Sequence, residues 1–209
     1  MKVFYPVTIK LLSALHINGG TDVNGNRVTI KSGGQAYIPA TLLKGMIREN
    51  FTKIWKSLYG NEDVKCNGAD SSESPCSCIS CRMFGKAGFQ RSRVYVDNCI
   101  SNQDLSYHLR SNVSIDRYTR KSLDTALVFT EVVERYAKSQ GKTENTVFKG
   151  GLAVYYPVEM STLYQCQIEA VLIESIKMIN FIGLSKSRGL GFVETSVEIP
   201  EGEFLCGKS

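Results

Sequence analysis

A glycine-rich stretch towards the end of the sequence carries the residue types that bind phosphate. Residues 183–192 read Gly-Leu-Ser-Lys-Ser-Arg-Gly-Leu-Gly-Phe, so glycines, hydroxyls and two cations are packed into one short segment. Glycine allows the backbone to approach a ligand closely, and successive backbone N–H groups beside Lys and Arg form a concave anion site. The spacing matches neither a Walker loop nor a dinucleotide fingerprint, and a flexible turn between two strands is the alternative interpretation. The candidate phosphate-binding residues are Gly183, Ser185, Lys186, Ser187, Arg188 and Gly189.

A cluster of cysteines offers a second chemistry, metal binding. The spacing Cys-x9-Cys-x-Cys-x2-Cys encloses residues 67–75, which are rich in Gly, Ser, Asp and Pro and poor in core-forming side chains. Because burial cannot fix such a loop, a tetrahedral zinc site of four thiolates is a physical way to hold it, and four protein ligands indicate a structural role. A redox pair, unliganded thiols, and His108 in place of the first cysteine are the alternatives. The predicted zinc ligands are Cys66, Cys76, Cys78 and Cys81.

Composition and charge restrict the class of protein. Hydrophobic residues make up 43% of the 209 residues, which is enough for a folded core, and this length suits one domain with insertions. The net charge of +5 favours anionic partners only weakly, but cations recur in the Gly-rich and turn-like segments. No apolar run approaches the roughly 18 residues that span a bilayer, and the start has no signal-peptide pattern. The seven cysteines are an odd number, which argues against a secreted disulfide framework, so we expect a cytoplasmic protein with no membrane partner.

The elements that position these residues follow from hydrophobic periodicity. Apolar residues at helical spacing predict a helix over residues 42–58, with Thr41 as its N-cap and with Lys44 and Arg48 one turn apart on one face. The other predicted elements are strands at 3–17, 93–99, 152–157, 163–169 and 192–199, a long hairpin at 113–133, an exposed segment at 136–149, and a second helix at 171–181. This order predicts an α+β sandwich of ferredoxin type, a topology shared with RNA-recognition (RRM) domains.

Several segments, taken in order, resemble motifs of the RAMP superfamily of CRISPR proteins, specifically the repeated backbone subunit of type III effector complexes. Residues 15–22 (Leu-His-Ile-Asn-Gly-Gly-Thr-Asp) are similar to the family's Leu-His-Ile-Gly-Gly start, and residues 37–48 resemble its Ile-Pro-Gly-Ser-Ser-Leu-Lys-Gly-x-x-Arg helix start. Residues 78–85 (Cys-Ile-Ser-Cys-Arg-Met-Phe-Gly) are close to its Cys-x-x-Cys-Arg-Leu-Phe-Gly pattern, and residues 183–191 are similar to its C-terminal Gly-rich loop. The segments that look like the arms of its thumb hairpin are 113–117 and 127–131.

The resemblance implies a single RAMP domain over residues 1–209, built on a ferredoxin-like (RRM-like) palm. It implies two insertions, a small zinc-binding loop at 61–90 and a thumb-like hairpin at 108–150. Such a subunit polymerises along a guide RNA (crRNA) together with copies of itself and other CRISPR effector subunits. It presents the guide for pairing with a complementary target RNA.

The same resemblance assigns roles to individual side chains. Lys44, Arg48 and Arg117 would contact guide RNA together with the glycine-rich stretch, which gives an affinity that depends on salt and not on sequence. Exposed apolar residues of the thumb, such as Leu123 and Leu127, would insert between bases.

Whether the subunit cuts RNA depends, by this resemblance, on one aspartate in the loop after the first strand. Slicing members of the family use it in cleavage of target RNA with Mg²⁺ or another divalent metal. One alignment places Asp22 at this position and another places Asn26, whose amide carries no charge for a metal or a proton. We therefore expect a subunit that binds without cutting and that works with a separate nuclease, and cleavage through Asp22 is the alternative. A processing endonuclease using His16 or His108, and a generic zinc-containing RNA-binding domain, are the remaining alternatives.

Overall fold

The computed structural model describes residues 1–60, 76–88, 90–139, 141–157 and 159–199. Cys66, which the sequence predicts as a metal ligand, and Cys206 lie outside these ranges. The helices of the described ranges are α1 (Ala40–Tyr59), α2 (Ile79–Phe84) and α3 (Thr162–Lys177). The strands are β1 (Lys2–Leu11), β2 (Asn18–Thr21), β3 (Arg27–Thr29), β4 (Lys31–Ser32), β5 (Gln35–Ala36), β6 (Val94–Val96), β7 (Tyr107–Ile115), β8 (Ser122–Val133), β9 (Tyr136–Ser139), β10 (Lys142–Asn145), β11 (Val147–Tyr155) and β12 (Val193–Val197). The fold is therefore α+β with mostly antiparallel sheets, as the sequence predicts.

The principal sheet has the strand order β12-β1-β11-β6, and all its neighbouring strands are antiparallel. Along the chain, α1 lies between β1 and β6, and α3 lies between β11 and β12. The two long helices pack against each other, α1 also contacts β6, and α3 contacts β12. The helices thus cover one face of the sheet.

The core forms where the periods of strand and helix bring apolar side chains to this shared interface. Alternate residues of β1 are buried, and Val3, Ile9 and Leu11 are among them, because successive side chains of a strand point to opposite faces. On α1, every fourth residue from Leu43 to Trp55 is buried, which is the spacing of one helical face.

A second sheet, in the order β2-β3-β8-β7, carries a long antiparallel hairpin made of β7 and β8. Glu131 on β8 fixes this hairpin to β3 and β4. Its carboxylate accepts a hydrogen bond from the backbone N–H of Thr29 at 3.0 Å and forms an ion pair with Lys31 at 2.6 Å. The only parallel pairing, between β3 and β8, joins Arg27 to Thr130 in the described residues. The base of the hairpin is therefore held in a defined position.

Three predicted local features are wrong. The apolar residues at 163–169 form the first half of α3 and not a strand, because a short apolar run does not distinguish the two until its burial continues with helical spacing through Ile176. Thr41 is not the N-cap of α1. Pro39 holds that position, and the N–H of Ala40 donates to Asn98 Oδ1 at 2.8 Å. The segment at 136–149, predicted as exposed, forms the β9–β10 hairpin and the start of β11.

No helix in the described part of the chain combines the length and the apolar composition that crossing a bilayer requires.

Candidate nucleic-acid interface and metal centre

The glycine-rich stretch at 183–191, here called the Gly loop, is held by close backbone contacts at both ends. Gly183 has φ +84°, and a Cβ there would collide with the carbonyl oxygen of His16. The same oxygen accepts a hydrogen bond from the N–H of Leu184 at 2.9 Å. At the other end, Gly191 has φ +77°, and a Cβ would collide with the carbonyl oxygen of Ile182. Only glycine satisfies both the dihedral angle and the contact at these two positions.

Between these ends the loop makes one turn that separates its two cations. Ser185 adopts the left-handed conformation with φ +63°, and Lys186–Arg188 form a single turn of 3-10 helix. Lys186 lies near Glu49 of α1. The pKa of the Glu49 carboxyl is lowered first by hydrogen bonding to Lys53, and the charge of Lys186 lowers it further. Arg188 lies on the opposite side of the loop, facing the hairpin. Lys186 and Arg188 therefore face different surfaces of the protein.

Arg188 and Arg27 line a cavity of about 570 Å³. We call it the arginine cleft. It lies between the Gly loop, β3 and the hairpin, and both guanidinium side chains belong to exposed residues. The other lining residues, all from the hairpin, are Ser111, Asn112, Val113, Ser114, Ile115 and Val128. Two permanent positive charges beside hydroxyl and amide groups are suited to a phosphate or another oxyanion.

A second cavity, of about 520 Å³, lies on the other side of the Gly loop. Gly183 and Leu184 of the loop face the first turn of α1 there, across from Asn18. The N-cap of α1 makes no side-chain cap hydrogen bond, although the N–H of Ala40 in the first turn donates to Asn98 Oδ1. Because a helix of this length presents a partial positive charge at its N-terminus, this cavity too is favourable for an anion. The Gly loop therefore separates two openings that both favour negative charge.

His16 supports the Gly loop from beneath. The residue is buried, its Nδ1 lies 2.8 Å from the carbonyl oxygen of Glu131 and 3.2 Å from Thr29 Oγ1, and its own carbonyl contacts the loop. Burial lowers the pKa of the imidazole below 6.5, so the ring is neutral at pH 7 and donates from Nδ1 to the carbonyl. This position connects β3, β8 and the Gly loop, and a buried neutral ring is not placed to contact a bound polymer.

Lys44 and Arg48 lie on a different side of α1 and line neither cavity. Lys44 Nζ donates to Ser92 Oγ at 2.8 Å and lies 6.0 Å from the ring centroid of Tyr95. Burial, and then the neighbouring charge of Arg48, lowers the pKa of this amine. Arg48 is directed towards α2, which carries the cysteine motif. The structure therefore separates these two residues from the Gly loop.

The tip of the hairpin carries exposed cations and apolar side chains. Arg117 is exposed in the turn between β7 and β8, close in sequence to Arg120, which has φ +54°. Asp116 organises this turn by accepting from the N–H of Tyr118 at 2.8 Å, and that hydrogen bond lowers the pKa of its carboxyl. Leu123 and Leu127 are 48% and 53% exposed, so apolar contact area remains available along the hairpin.

Asp22 and Asn26, the two candidates for the cleavage position, are bonded to each other. The amide Nδ2 of Asn26 donates to Asp22 Oδ2 at 2.8 Å, and the backbone N–H groups of Asn24 and Asn26 donate to Oδ1 at 2.9 and 2.8 Å. These hydrogen bonds, the side-chain one first, lower the pKa of the Asp22 carboxyl. Both of its oxygens are therefore engaged in holding the β2–β3 turn.

Three cysteine side chains form a group that fits a metal ion. The sulfur atoms of Cys76, Cys78 and Cys81 all lie within 4.8 Å of one another. A tetrahedral site with metal–sulfur bonds of about 2.3 Å separates its sulfur atoms by about 3.8 Å, so the spacing is compatible. Cys78 is the N-cap of α2, where its sulfur accepts from the N–H of Cys81 at 3.3 Å, and burial raises the pKa of the Cys78 thiol. Soft sulfur donors of this kind favour zinc among the common divalent metals.

His108 does not join this group. It lies on β7, and its Nδ1 is 2.9 Å from Glu134 Oε1. Among the described residues, the group of potential metal ligands contains cysteines alone. The structure gives no support to the prediction that His108 replaces Cys66 as a ligand.

Residues 8–194 match the model of one protein family, the RAMP superfamily. The chain belongs to the RAMP superfamily. This membership indicates a CRISPR-associated RNA-binding protein, and the matched region includes the Gly loop, the hairpin and the described cysteines of this RAMP protein. A comparison with curated proteins finds no match.

Sequence reasoning counted Arg27 among the cations of the Gly-rich segments but did not name it as an RNA-binding residue of this RAMP protein. A cation in the Gly- and Asn-rich segment after β1 is the only signal in the sequence, and Lys31 carries the same signal. The structure separates the two, because Lys31 is paired with Glu131 and lies 4.2 Å from the ring centroid of Tyr107, whereas Arg27 faces the cleft.

Proposed function

We propose that this RAMP protein is a backbone subunit of a type III-like CRISPR effector complex that binds guide RNA and forms a filament along it. The observation that carries the proposal is the arginine cleft, in which Arg27 and Arg188 face the hairpin across a cavity large enough for a nucleotide phosphate. The family match supports RNA as the ligand. The two cavities on either side of the Gly loop support binding of an extended strand and not of a single small anion.

In this proposal the principal sheet and its two long helices form a ferredoxin-like palm. The order β12-β1-β11-β6, with a helix after the first and third strands of the sheet in chain order, is the support for this assignment. The β7–β8 hairpin is the thumb, within an insertion at 108–150, and the cysteine region is a second insertion at 61–90. Both belong to a single domain spanning 1–209.

Binding would act on the RNA backbone and leave base identity to pairing. Arg188 and Arg27 would contact phosphates on the hairpin side of the Gly loop. Lys186, with the first turn of α1, would contact phosphates on the other side. Contacts of this kind release counterions and do not read sequence, so complementarity between guide and target supplies the specificity. The exposed Leu123 and Leu127 would insert between bases where the hairpin meets the paired strands.

The proposed partners are guide RNA, complementary target RNA, further copies of this chain and other CRISPR effector subunits. We place the complex in the cytoplasm, where cysteine thiolates stay reduced. We propose that the subunit does not cut RNA and that a separate nuclease does so, because both carboxylate oxygens of Asp22 are engaged within the β2–β3 turn.

We also propose a structural zinc ion bound by Cys76, Cys78 and Cys81 with Cys66 as the fourth ligand. Four thiolates would hold the segment that precedes α2, which has little capacity to form a core. Metal analysis of the purified protein is expected to give one zinc ion per chain. The variant C78S should lose it, and C166S, which removes a half-buried thiol of α3 outside the group, should retain it.

The RNA-binding proposal is tested by replacing the two arginines of the cleft. R27A/R188A should weaken binding of a guide-length single-stranded RNA about equally for unrelated sequences, measured by fluorescence anisotropy across a salt series. Each lost phosphate contact lowers the slope of log K against log salt by about 0.7 for a single strand, so the double variant should lower it by about 1.4. K10A is the matched control, since Lys10 is an exposed cation of β1 paired with Glu194 and outside the cleft. An unchanged slope in the double variant would remove the cleft from the binding surface.

A further inference from the structure

The guanidinium of Arg48 donates hydrogen bonds to α2 and to its C-cap residue. Its Nε donates to Ser80 Oγ at 3.2 Å, its Nη1 to the carbonyl oxygen of Gly85 at 3.3 Å, and its Nη2 to Cys81 Sγ at 3.4 Å. The three nitrogens of one guanidinium thus reach both ends of α2 and one proposed metal ligand. These three hydrogen bonds direct the guanidinium towards α2.

A hydrogen-bond network fixes the guanidinium on α1. Thr52, one helical turn after Arg48, donates its hydroxyl to the Arg48 carbonyl oxygen at 2.7 Å and lies 3.2 Å from Ser80 Oγ. Ser80 is buried and therefore joins both α1 side chains to α2. Lysine, with a single flexible ammonium, cannot reach three acceptors in one plane as this guanidinium does.

The chemistry of a thiolate site explains why a cation would be needed here. The three described thiolates around a divalent metal carry an excess of negative charge, and Cys81 is almost completely buried. An N–H···S hydrogen bond from a cation stabilises the thiolate and orients its sulfur towards the metal. The charged side chain of Arg48 makes this contact to Cys81.

We propose that Arg48 is a positioning residue of the metal centre: its guanidinium orients Cys81 and α2, and it couples metal binding to the position of α1. This rests on the proposed metal site, and it assigns Arg48 to the metal and not to direct contact with RNA.

The test compares metal affinity in R48Q, R48K and the control R82Q. Arg82 follows Cys81 directly, but its guanidinium lies over the ring of Tyr164, 5.7 Å from the centroid, so R82Q removes a nearby cation without removing the contact to sulfur. Zinc-loaded full-length proteins are titrated with a chromophoric chelator. Loss of an outer-shell partner is expected to weaken metal affinity by about 10- to 100-fold in R48Q, with R48K intermediate and R82Q equal to the wild type.

Two further readouts separate a metal-directed role from a purely structural one. Cobalt-substituted R48Q should show an altered sulfur-to-metal charge-transfer band, and its loss of thermal stability should be larger in the metal-loaded than in the metal-free protein. An equal loss in both forms, with unchanged affinity and spectrum, would overturn the inference while the metal site stands. A wild-type protein that binds no zinc would overturn the metal site itself. If R48Q does not fold, R48K decides: weaker metal binding in a folded R48K supports the role, and unchanged binding contradicts it.

Discussion

Replacing Gly183 with alanine should destabilise the protein more than the same replacement elsewhere in the Gly loop. The left-handed conformation at φ +84° costs a residue with a Cβ about 1–2 kcal/mol. The new Cβ would also collide with the His16 carbonyl oxygen, which accepts from Leu184 N–H at 2.9 Å. Loss of that hydrogen bond adds about 0.5–1.5 kcal/mol. We therefore expect G183A to lower the free energy of unfolding by about 1.5–3.5 kcal/mol, where each kcal/mol lowers Tm by about 2–4 °C in a protein of this size.

Two alanine variants serve as controls in urea unfolding at fixed metal content. Gly189 has φ +80° with nothing within 4 Å of a Cβ, so G189A should show the conformational cost alone, about 1–2 kcal/mol. Gly45 lies within α1 and is also uncrowded, so G45A should stabilise the protein by up to about 1 kcal/mol. If G183A and G189A lose the same free energy, the contact with His16 does not hold the loop, and our account of the loop is wrong.

Other consequences of the structure are open to direct measurement. Burial lowers the folded-state pKa of His16 below its ordinary 6.5. The contribution of His16 to stability is therefore present above pH 6.5 and is lost as the pH falls from 6.5 towards the lower, folded-state pKa. H16N should flatten this part of the plot of unfolding free energy against pH, measured from about pH 8 to about pH 5. D22A should leave target RNA equally intact in the assembled complex with Mg²⁺, and cleavage that requires Asp22 would contradict the non-cutting assignment. L123A/L127A should change the free energy of unfolding by less than about 0.5 kcal/mol, because both side chains are half exposed, yet it should weaken binding of a guide–target duplex; equal duplex affinity would argue against insertion between bases.

Periodicity and short motifs were sufficient to predict the elements whose structure depends mainly on residues close together in the sequence. The helix at α1 follows from an apolar face repeated over several turns, and the Gly loop follows from glycines that its backbone needs at Gly183 and Gly191. The pairing of Cys78 with Cys81 follows from their short spacing, which one turn of helix converts into a close approach. For the helix and the cysteine pair the relevant contacts are close in sequence, whereas Gly183 also contacts the distant carbonyl of His16.

The remainder depends on contacts between distant segments, which a single sequence does not specify. The helical pattern places Lys44 and Arg48 on one face of α1, but only the packing of α2 and β6 shows that this face points away from the Gly loop. Arg27 and Arg188 meet because β3 pairs with β8 at a single position and the Gly loop returns to the segment after β1. The short run that begins α3 has no pattern that separates helix from strand until its partner α1 is known.

The central claim, that this RAMP protein is a guide-RNA backbone subunit, is tested most directly by the nucleic acid that it carries. The full chain would be expressed with its neighbouring CRISPR subunits and a CRISPR array, purified as a particle, and analysed for RNA length, RNA sequence and protein copies per RNA. We expect a discrete guide-sized RNA with several copies of this chain bound along it. A particle without RNA, or one with RNA of heterogeneous length and sequence, would contradict the claim.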